Sequence, residues 1–239
     1  MNAKPEKPVI LAHPGAPYGV PAEVPLTIKT PLMSETGEPM TWKTSDPVDT
    51  SVNTFEVPTG DEDGSTTGIY GLCRCGSSTT KPFCDHQFHE TADWDDTSQA
   101  PTDNYNERAV SLGGTGIEIF DDRPTCVHAG FCGNDLTSIW KMAEQTGDSR
   151  IRAQAMAMIK RCPSGALAFA VDDEVIEPDL PVEVAVVPDG PLWVTGGIGV
   201  QRSDGEPFEA RNRVALCRCG ASSRKPLCDG THKEIGFKG

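Results

Sequence analysis

A chain of 239 residues, 37% apolar and 23% charged, has room for two or three small domains, and its formal charge of −14 argues against a protein that grips nucleic acid by neutralising phosphates. No apolar run approaches the roughly 18 residues of a membrane span, and the start, MNAKPEKPVILAHPGAPYG, lacks the apolar core of an export signal, so the expected address is the cytoplasm. The 24 glycines and 20 prolines suit short strands and tight turns.

Read from the N-terminus, GAPYGVPAEVPL, GEPMTW and GIYGLCRCG return in the same order near the C-terminus as DGPLWVTGGIGV, GEPFEA and RVALCRCG. The first copy also carries TSDPVDTSVNTFEVPTGDEDGST, whose Thr, Ser, Asp and Pro content predicts a surface loop. VEVAVV and LWVTGGIGV read as short strands parted by turn signals. Each repeat is therefore expected to be a few antiparallel strands that deliver the chain to a cysteine-rich loop.

Residues 95–180 follow a different plan. After a polar linker, TSQAPTDNYNE, the stretch AVSLGGTGIEIF predicts two strands around a Gly-rich turn. NDLTSIWKMAEQ predicts a helix with Leu136, Ile139, Trp140 and Ala143 on one face and Asn134 or Asp135 as its N-cap. SRIRAQAMAMIKRC sets Ile151, Ala155, Met158 and Ile159 at helical spacing and ends at Cys162-Pro163, and ALAFAV closes the unit as a strand. The apolar stripes read as core. The expected divisions are 1–94, 95–180 and 181–239.

The nine cysteines fall into three triplets: Cys73, Cys75, Cys84; Cys126, Cys132, Cys162; and Cys217, Cys219, Cys228. His86, His89, His128 and His232 lie among them. Without an export signal, disulfides are disfavoured and metal or iron–sulfur ligation is favoured. In each outer triplet, the two cysteines of C-x-C can place both sulfurs on one iron, while the third cysteine and a histidine hold a second. Replacing a thiolate by neutral imidazole removes negative charge and raises the reduction potential. Asp229 is a candidate N-cap that would put His232 in a first helical turn facing the site. Zinc is the competing occupant, since three cysteines and one histidine also suit it, although zinc knuckles favour C-x2-C. In the first copy, His86 stands where the second has Gly230, in a tight turn. Aligning His89 with His232 needs one extra residue, and His89 is the expected ligand, with His86 a neighbour.

CRCGASSRKPLCDGTH resembles the signature of the CDGSH (NEET) iron–sulfur family at Cys217, Cys219, Ser222, Pro226, Cys228, Asp229, Gly230, Thr231 and His232. The resemblance implies a [2Fe–2S] cluster on Cys217, Cys219, Cys228 and His232, and another on Cys73, Cys75, Cys84 and His89. It further implies a small β-rich cap above two paired motifs, here an internal version of a two-chain dimer, so that a monomer suffices. In the middle, CVHAGFC and CPSGAL resemble divergent single-cluster ferredoxin domains, which are described as [4Fe–4S]. Ala129 stands where the bacterial ferredoxin run has its central cysteine, and three thiolates suffice for a cuboidal cluster lacking one iron. The expectation is therefore [3Fe–4S] on Cys126, Cys132 and Cys162. The alternative is [4Fe–4S] with His128 or an external ligand, though His128 reads better as an ordinary loop histidine.

The expected fold class is α+β: two β-rich CDGSH modules forming a pseudo-dimer, a β-cap plus cluster-binding loops, with an inserted ferredoxin-like domain. The sequence holds no G-x-G-x-x-G, no G-x4-G-K-[ST] and no G-x-S-x-G. An enzyme is not expected. The expected function is one-electron transfer. The alternatives are a cluster carrier or pH/redox sensor, and a zinc-stabilised adaptor. Expected partners are a redox protein or an apo iron–sulfur acceptor, with no nucleic acid and no membrane.

Overall fold

The computed structural model describes residues 7–59, 65–86, 94–97, 100–204 and 208–239. The first repeat supplies β1 (Val9–Ala12), β2 (Tyr18–Pro21), β3 (Leu26–Met33), β4 (Pro39–Thr44), β5 (Thr54–Pro58) and β6 (Thr66–Leu72). The middle unit supplies α1 (Tyr105–Arg108), β7 (Val110–Gly113), β8 (Glu118–Asp121), α2 (Ile139–Ala143), α3 (Ser149–Lys160), β9 (Leu167–Val171) and β10 (Glu174–Val175). The second repeat supplies β11 (Glu183–Val186), β12 (Leu192–Thr195), β13 (Gly199–Gln201), β14 (Arg213–Leu216) and α4 (Thr231–Glu234).

The repeats do not form separate sheets. One sheet runs β13-β1-β2-β6-β5 and the other β14-β12-β11-β3-β4. The first sheet thus joins four strands of the first repeat to β13 of the second, and the other joins three strands of the second repeat to β3, with β4 beyond it, of the first. Within a repeat the pairing is antiparallel, as expected, but the borrowed strands pair in parallel: Val9 with Gly199 and Leu26 with Val184. Ile10, Tyr70 and Leu72 therefore share one core with Val184, Val194 and Leu216. Strands β1–β6 and β11–β14 thus build a single cap around one core. Every residue of β11, β12 and β14 is buried, which is why these strands show no polar alternation in the sequence. The polar insert is not wholly a loop. Thr54–Pro58 pairs with β6 as an edge strand, its short TFEVP pattern masked by polar neighbours.

The middle unit has its own sheet, β10-β9-β8-β7, and its own core, in which Ile139, Met142, Ala155, Met158 and Ile159 meet Ile119 and Phe169. Helix α3 forms as its spacing predicts, capped by Asp148, whose carboxylate accepts the Arg150 N–H at 2.8 Å. Helix α2 starts later than expected, after Ser138 rather than Asn134 or Asp135. The Asn134 side chain instead accepts the N–H groups of Leu136 (3.0 Å) and Thr137 (2.8 Å), folding that stretch into a turn. Leu136 is consequently 87% exposed and not part of the core face.

Side chains from both repeats hold the middle unit. Arg213, buried at the start of β14, donates to the carbonyls of Ile159 (3.3 Å) and Leu167 (3.2 Å). Trp42 of β4 donates to the Arg161 carbonyl at 3.2 Å, and its ring centroid lies 4.8 Å from those of both Phe131 and Trp193. Among the described residues, no helix is long and apolar enough to cross a membrane.

Candidate metal centres

The two outer loops repeat one hydrogen-bond scheme. Cys73 N–H donates to the Pro82 carbonyl at 2.9 Å, and Cys217 N–H to Pro226 at 2.8 Å. The hydroxyls of Ser78 and Ser222 donate to the carbonyls of Phe83 and Leu227, both at 2.6 Å. The carboxylates of Asp85 and Asp229 accept from Thr79 N–H (2.7 Å) and Ser223 N–H (2.8 Å). The loops meet across the pseudo-twofold as an antiparallel bridge between Cys75 and Cys219. Gly76 and Gly220 have φ of +80° and +79°, and a Cβ on either would lie 2.4 Å from the opposite cysteine's carbonyl oxygen. Only glycine fits there, which explains the final letter of CRCG in both copies.

Within each loop the donors come in pairs. The sulfurs of Cys73 and Cys75 are 3.9 Å apart, those of Cys217 and Cys219 3.7 Å, and Cys228 Sγ lies 3.3 Å from His232 Nδ1. Two sulfurs on one tetrahedral metal with bonds of about 2.3 Å stand about 3.8 Å apart, so both C-x-C pairs fit a shared iron. His232 occupies the single turn of α4, but the N-cap is Gly230 in the left-handed region rather than Asp229, as expected from sequence. Asp229 still bonds the turn, accepting Thr231 N–H at 3.0 Å. In the first copy His86 takes the Gly230 position with φ +57°. Its ring turns toward Phe55, centroids 6.1 Å apart, and faces a groove shared with His13. His89 lies outside the described residues. Among the described residues, no three His, Cys, Asp or Glu side chains form a set for a single metal ion.

In the middle unit, Cys126, Cys132 and Cys162 line one pocket, shared with Asp121, Arg123, Ala129, Trp140 and Ser164. The His128 N–H donates to Cys126 Sγ at 3.4 Å, as the His86 N–H does to Cys84 Sγ. The His128 ring does not line the pocket. Its Cδ2 lies 3.2 Å from where a Cβ on Gly230 would stand. That contact belongs to a junction between the middle and C-terminal loops. Val127 and Ala129 pack on Ala215 and Cys228, Lys233 Nζ donates to the His128 carbonyl at 2.6 Å, and Arg224 donates to the Pro124 carbonyl.

Protonation follows from burial and pairing. Burial pushes up the thiols of Cys84, Cys126 and Cys132, and that of Cys228 to about 12. The hydrogen bonds within C-x-C raise Cys73 and Cys217, while Cys219, on the receiving side, is drawn down to about 7. Sets of thiolates this close need a bound cation at neutral pH. Burial lowers His232, favouring the neutral ring that ligates metal. The buried Arg218, which burial lowers to about 10, keeps its charge beside Cys73 and Cys219, and its Nη1 has no partner among the described residues. A buried guanidinium N–H without a partner, in a group whose charge Cys73, Asp189 and Cys219 favour, suits an anionic metal–sulfur group nearby. Arg74 is its counterpart, held by the carbonyls of His13 and Ala16 and by Asp96. Sequence reasoning missed both arginines and Asp121. The signal for the arginines was present, in the repeated CRCG.

Paired sulfurs, a buried imidazole and an unpaired arginine N–H define a protein with metal–sulfur sites. Residues 16–89 and 189–233 match the family described as "Iron-binding zinc finger CDGSH type", and residues 112–172 match the family described as "Divergent 4Fe-4S mono-cluster". No curated protein and no solved structure matches the chain. The chain belongs to the CDGSH iron-binding family, with a divergent mono-cluster ferredoxin segment set between its two CDGSH segments, and it is an iron–sulfur protein.

Proposed function

We propose that this protein is a non-enzymatic carrier of single electrons. Its outer sites each hold a [2Fe–2S] cluster, on Cys73, Cys75, Cys84 and His89 and on Cys217, Cys219, Cys228 and His232. Its middle site holds a cubane-type cluster on Cys126, Cys132 and Cys162. The clusters supply the one-electron redox change. The chain spaces the sulfurs, excludes water and places Arg218 against the negative charge.

The observation that carries this reading is the contiguity of the three sites. The outer loops meet at Cys75 and Cys219, and the C-terminal loop meets the middle one where Val127 packs with Cys228. Such a row suits passage of charge between sites. Burial of Cys228 and His232, 2% and 6% exposed, favours retention over release. A redox protein with a basic docking patch is the partner that a charge of −14 suits. The test is a dithionite titration of purified protein followed by reoxidation. Visible absorption should bleach and return, with iron and sulfide retained. A colourless, zinc-loaded protein overturns the iron–sulfur assignment, and rapid transfer of cluster to an apo-ferredoxin overturns the electron-carrier assignment.

A further inference from the structure

Three thiols line the middle pocket, yet a four-iron cubane needs four ligands, and the cysteine run has Ala129 at its centre. His128 is turned to the Gly230 junction and does not line the pocket. Two other oxygen donors do: Ser164 and Asp121. The Ser164 hydroxyl is occupied by its own turn, accepting the Ala166 N–H at 3.3 Å, and an alcohol must lose a proton to bind iron well. Asp121, at the end of β8 and 9% exposed, is held in an ion pair with Arg123. Its Oδ2 accepts from Trp140 Nε1 at 3.2 Å and from Arg123 Nη2 at 2.7 Å, while Oδ1 has no hydrogen-bond partner among the described residues. Arg123 in turn lies over the Trp140 ring, 4.5 Å from its centroid. A carboxylate with one oxygen fixed by two donors and the other available is how proteins orient ligating carboxylates. The neighbouring Asp122 serves a different purpose, paired with Arg108 at 2.8 Å.

We infer that Asp121 is the fourth protein ligand of the middle cluster, binding through Oδ1 an iron that the three cysteines leave open. This rests on the iron–sulfur reading of the middle site. Carboxylate oxygen holds iron in a sulfide core less firmly than thiolate does, so the fourth iron is exchangeable. The site then holds a three-iron and a four-iron form in one equilibrium. The oxidised [3Fe–4S]+ core takes one electron, from dithionite in the test, to become [3Fe–4S]0. One ferrous ion then bonds three cluster sulfides and Asp121, giving [4Fe–4S]2+. Asp121 enters as the carboxylate of its Arg123 ion pair, so the step displaces no proton. Ferricyanide reverses the sequence by removing one electron, and a ferrous ion leaves.

The test uses full-length protein reconstituted anaerobically with iron-57, read by Mössbauer and EPR spectroscopy with iron and sulfide analysis. Wild type should gain one iron at the middle site on dithionite and ferrous treatment and lose it to ferricyanide. Asp121→Ala and the near-isosteric Asp121→Asn should retain the three-iron form with full sulfide and take up no further iron at concentrations that load wild type. Asp121→Cys should form a four-iron cluster that resists ferricyanide, a gain that a merely structural role would not produce. If Asp121→Asn takes up the fourth iron as tightly as wild type, Asp121 is not the ligand. If wild type carries no sulfide at the middle site, the iron–sulfur reading of that site falls, and the ligand assignment with it.

Discussion

At the scale of single residues, what the sites demand is mostly what the sequence repeats. The cysteine triplets, His232 and the glycine of CRCG stand out without coordinates, because they recur at fixed spacing and the crossing of Cys75 with Cys219 leaves room for glycine alone. Gly76→Ala or Gly220→Ala would drive a methyl to 2.4 Å from a cysteine carbonyl oxygen at positive φ. Each should destabilise the cap by more than about 2 kcal/mol and lower the iron content of both outer sites, measured by urea unfolding and iron analysis. Asp229 makes a separate, pH-dependent contribution. Burial alone would raise its carboxyl, but hydrogen bonds from Thr231 and Ser223 outweigh it and hold the group at about 2, below the ordinary 3.8. A depressed carboxyl stabilises the fold fully above its unfolded value and loses that contribution as pH falls toward its folded one. The stability difference between wild type and Asp229→Asn, measured by denaturant unfolding, should therefore hold steady above about pH 5 and narrow between 3.8 and 2.

At the scale of elements, the sequence was most informative where structure is local. The period of Ala155, Met158 and Ile159 marks α3, and the Gly-rich turn marks the hairpin of β7 and β8. The start of α2 was misplaced because Asn134 closes a turn that competes with a helix cap, and both uses of asparagine look alike in sequence. The exchange of β3 and β13 was not legible at all. A strand's residues encode which face is buried, not which copy of a repeat lies beside it. The exchange has a consequence for fragments. Residues 181–239 alone would leave β11 without β3 and β13 without β1. That fragment should show no folded monomer. It should order only at high concentration, as a pair in which each copy lends its β13 to the other, a dependence visible by circular dichroism and sedimentation. A stable folded monomer would contradict the shared core.

At the scale of the whole molecule, the two outer loops are alike in their cysteine triplets but unlike in surroundings. Gly230 is hemmed in by His128 and the Val127 carbonyl oxygen, so a side chain there would press on the middle loop. Its counterpart in the first copy faces an open groove, and His86 is accommodated there against Phe55. The departure from CDG to CDH thus marks the copy whose cysteine loop does not pack on the Val127–Ala129 loop of the middle unit. The C-terminal site is inner, touching both of the others through Cys219 and Cys228, while the N-terminal site stands at one end of the row. Paramagnetic centres in contacting loops shorten one another's spin relaxation, and more distant ones do so far less. In the reduced protein, Cys228→Ala, which removes a proposed ligand of the C-terminal cluster, should slow the relaxation of the middle cluster's EPR signal. Cys84→Ala, the matching change in the N-terminal copy, should leave that relaxation unchanged. Lys233→Met should leave the relaxation unchanged too, because the clusters stay in place. It removes a positive charge that bonds the His128 carbonyl, and should shift the midpoint potential of the middle cluster downward, read by redox titration. Equal effects of Cys84→Ala and Cys228→Ala on the middle signal would mean that the junction at Val127 does not set the order of the row.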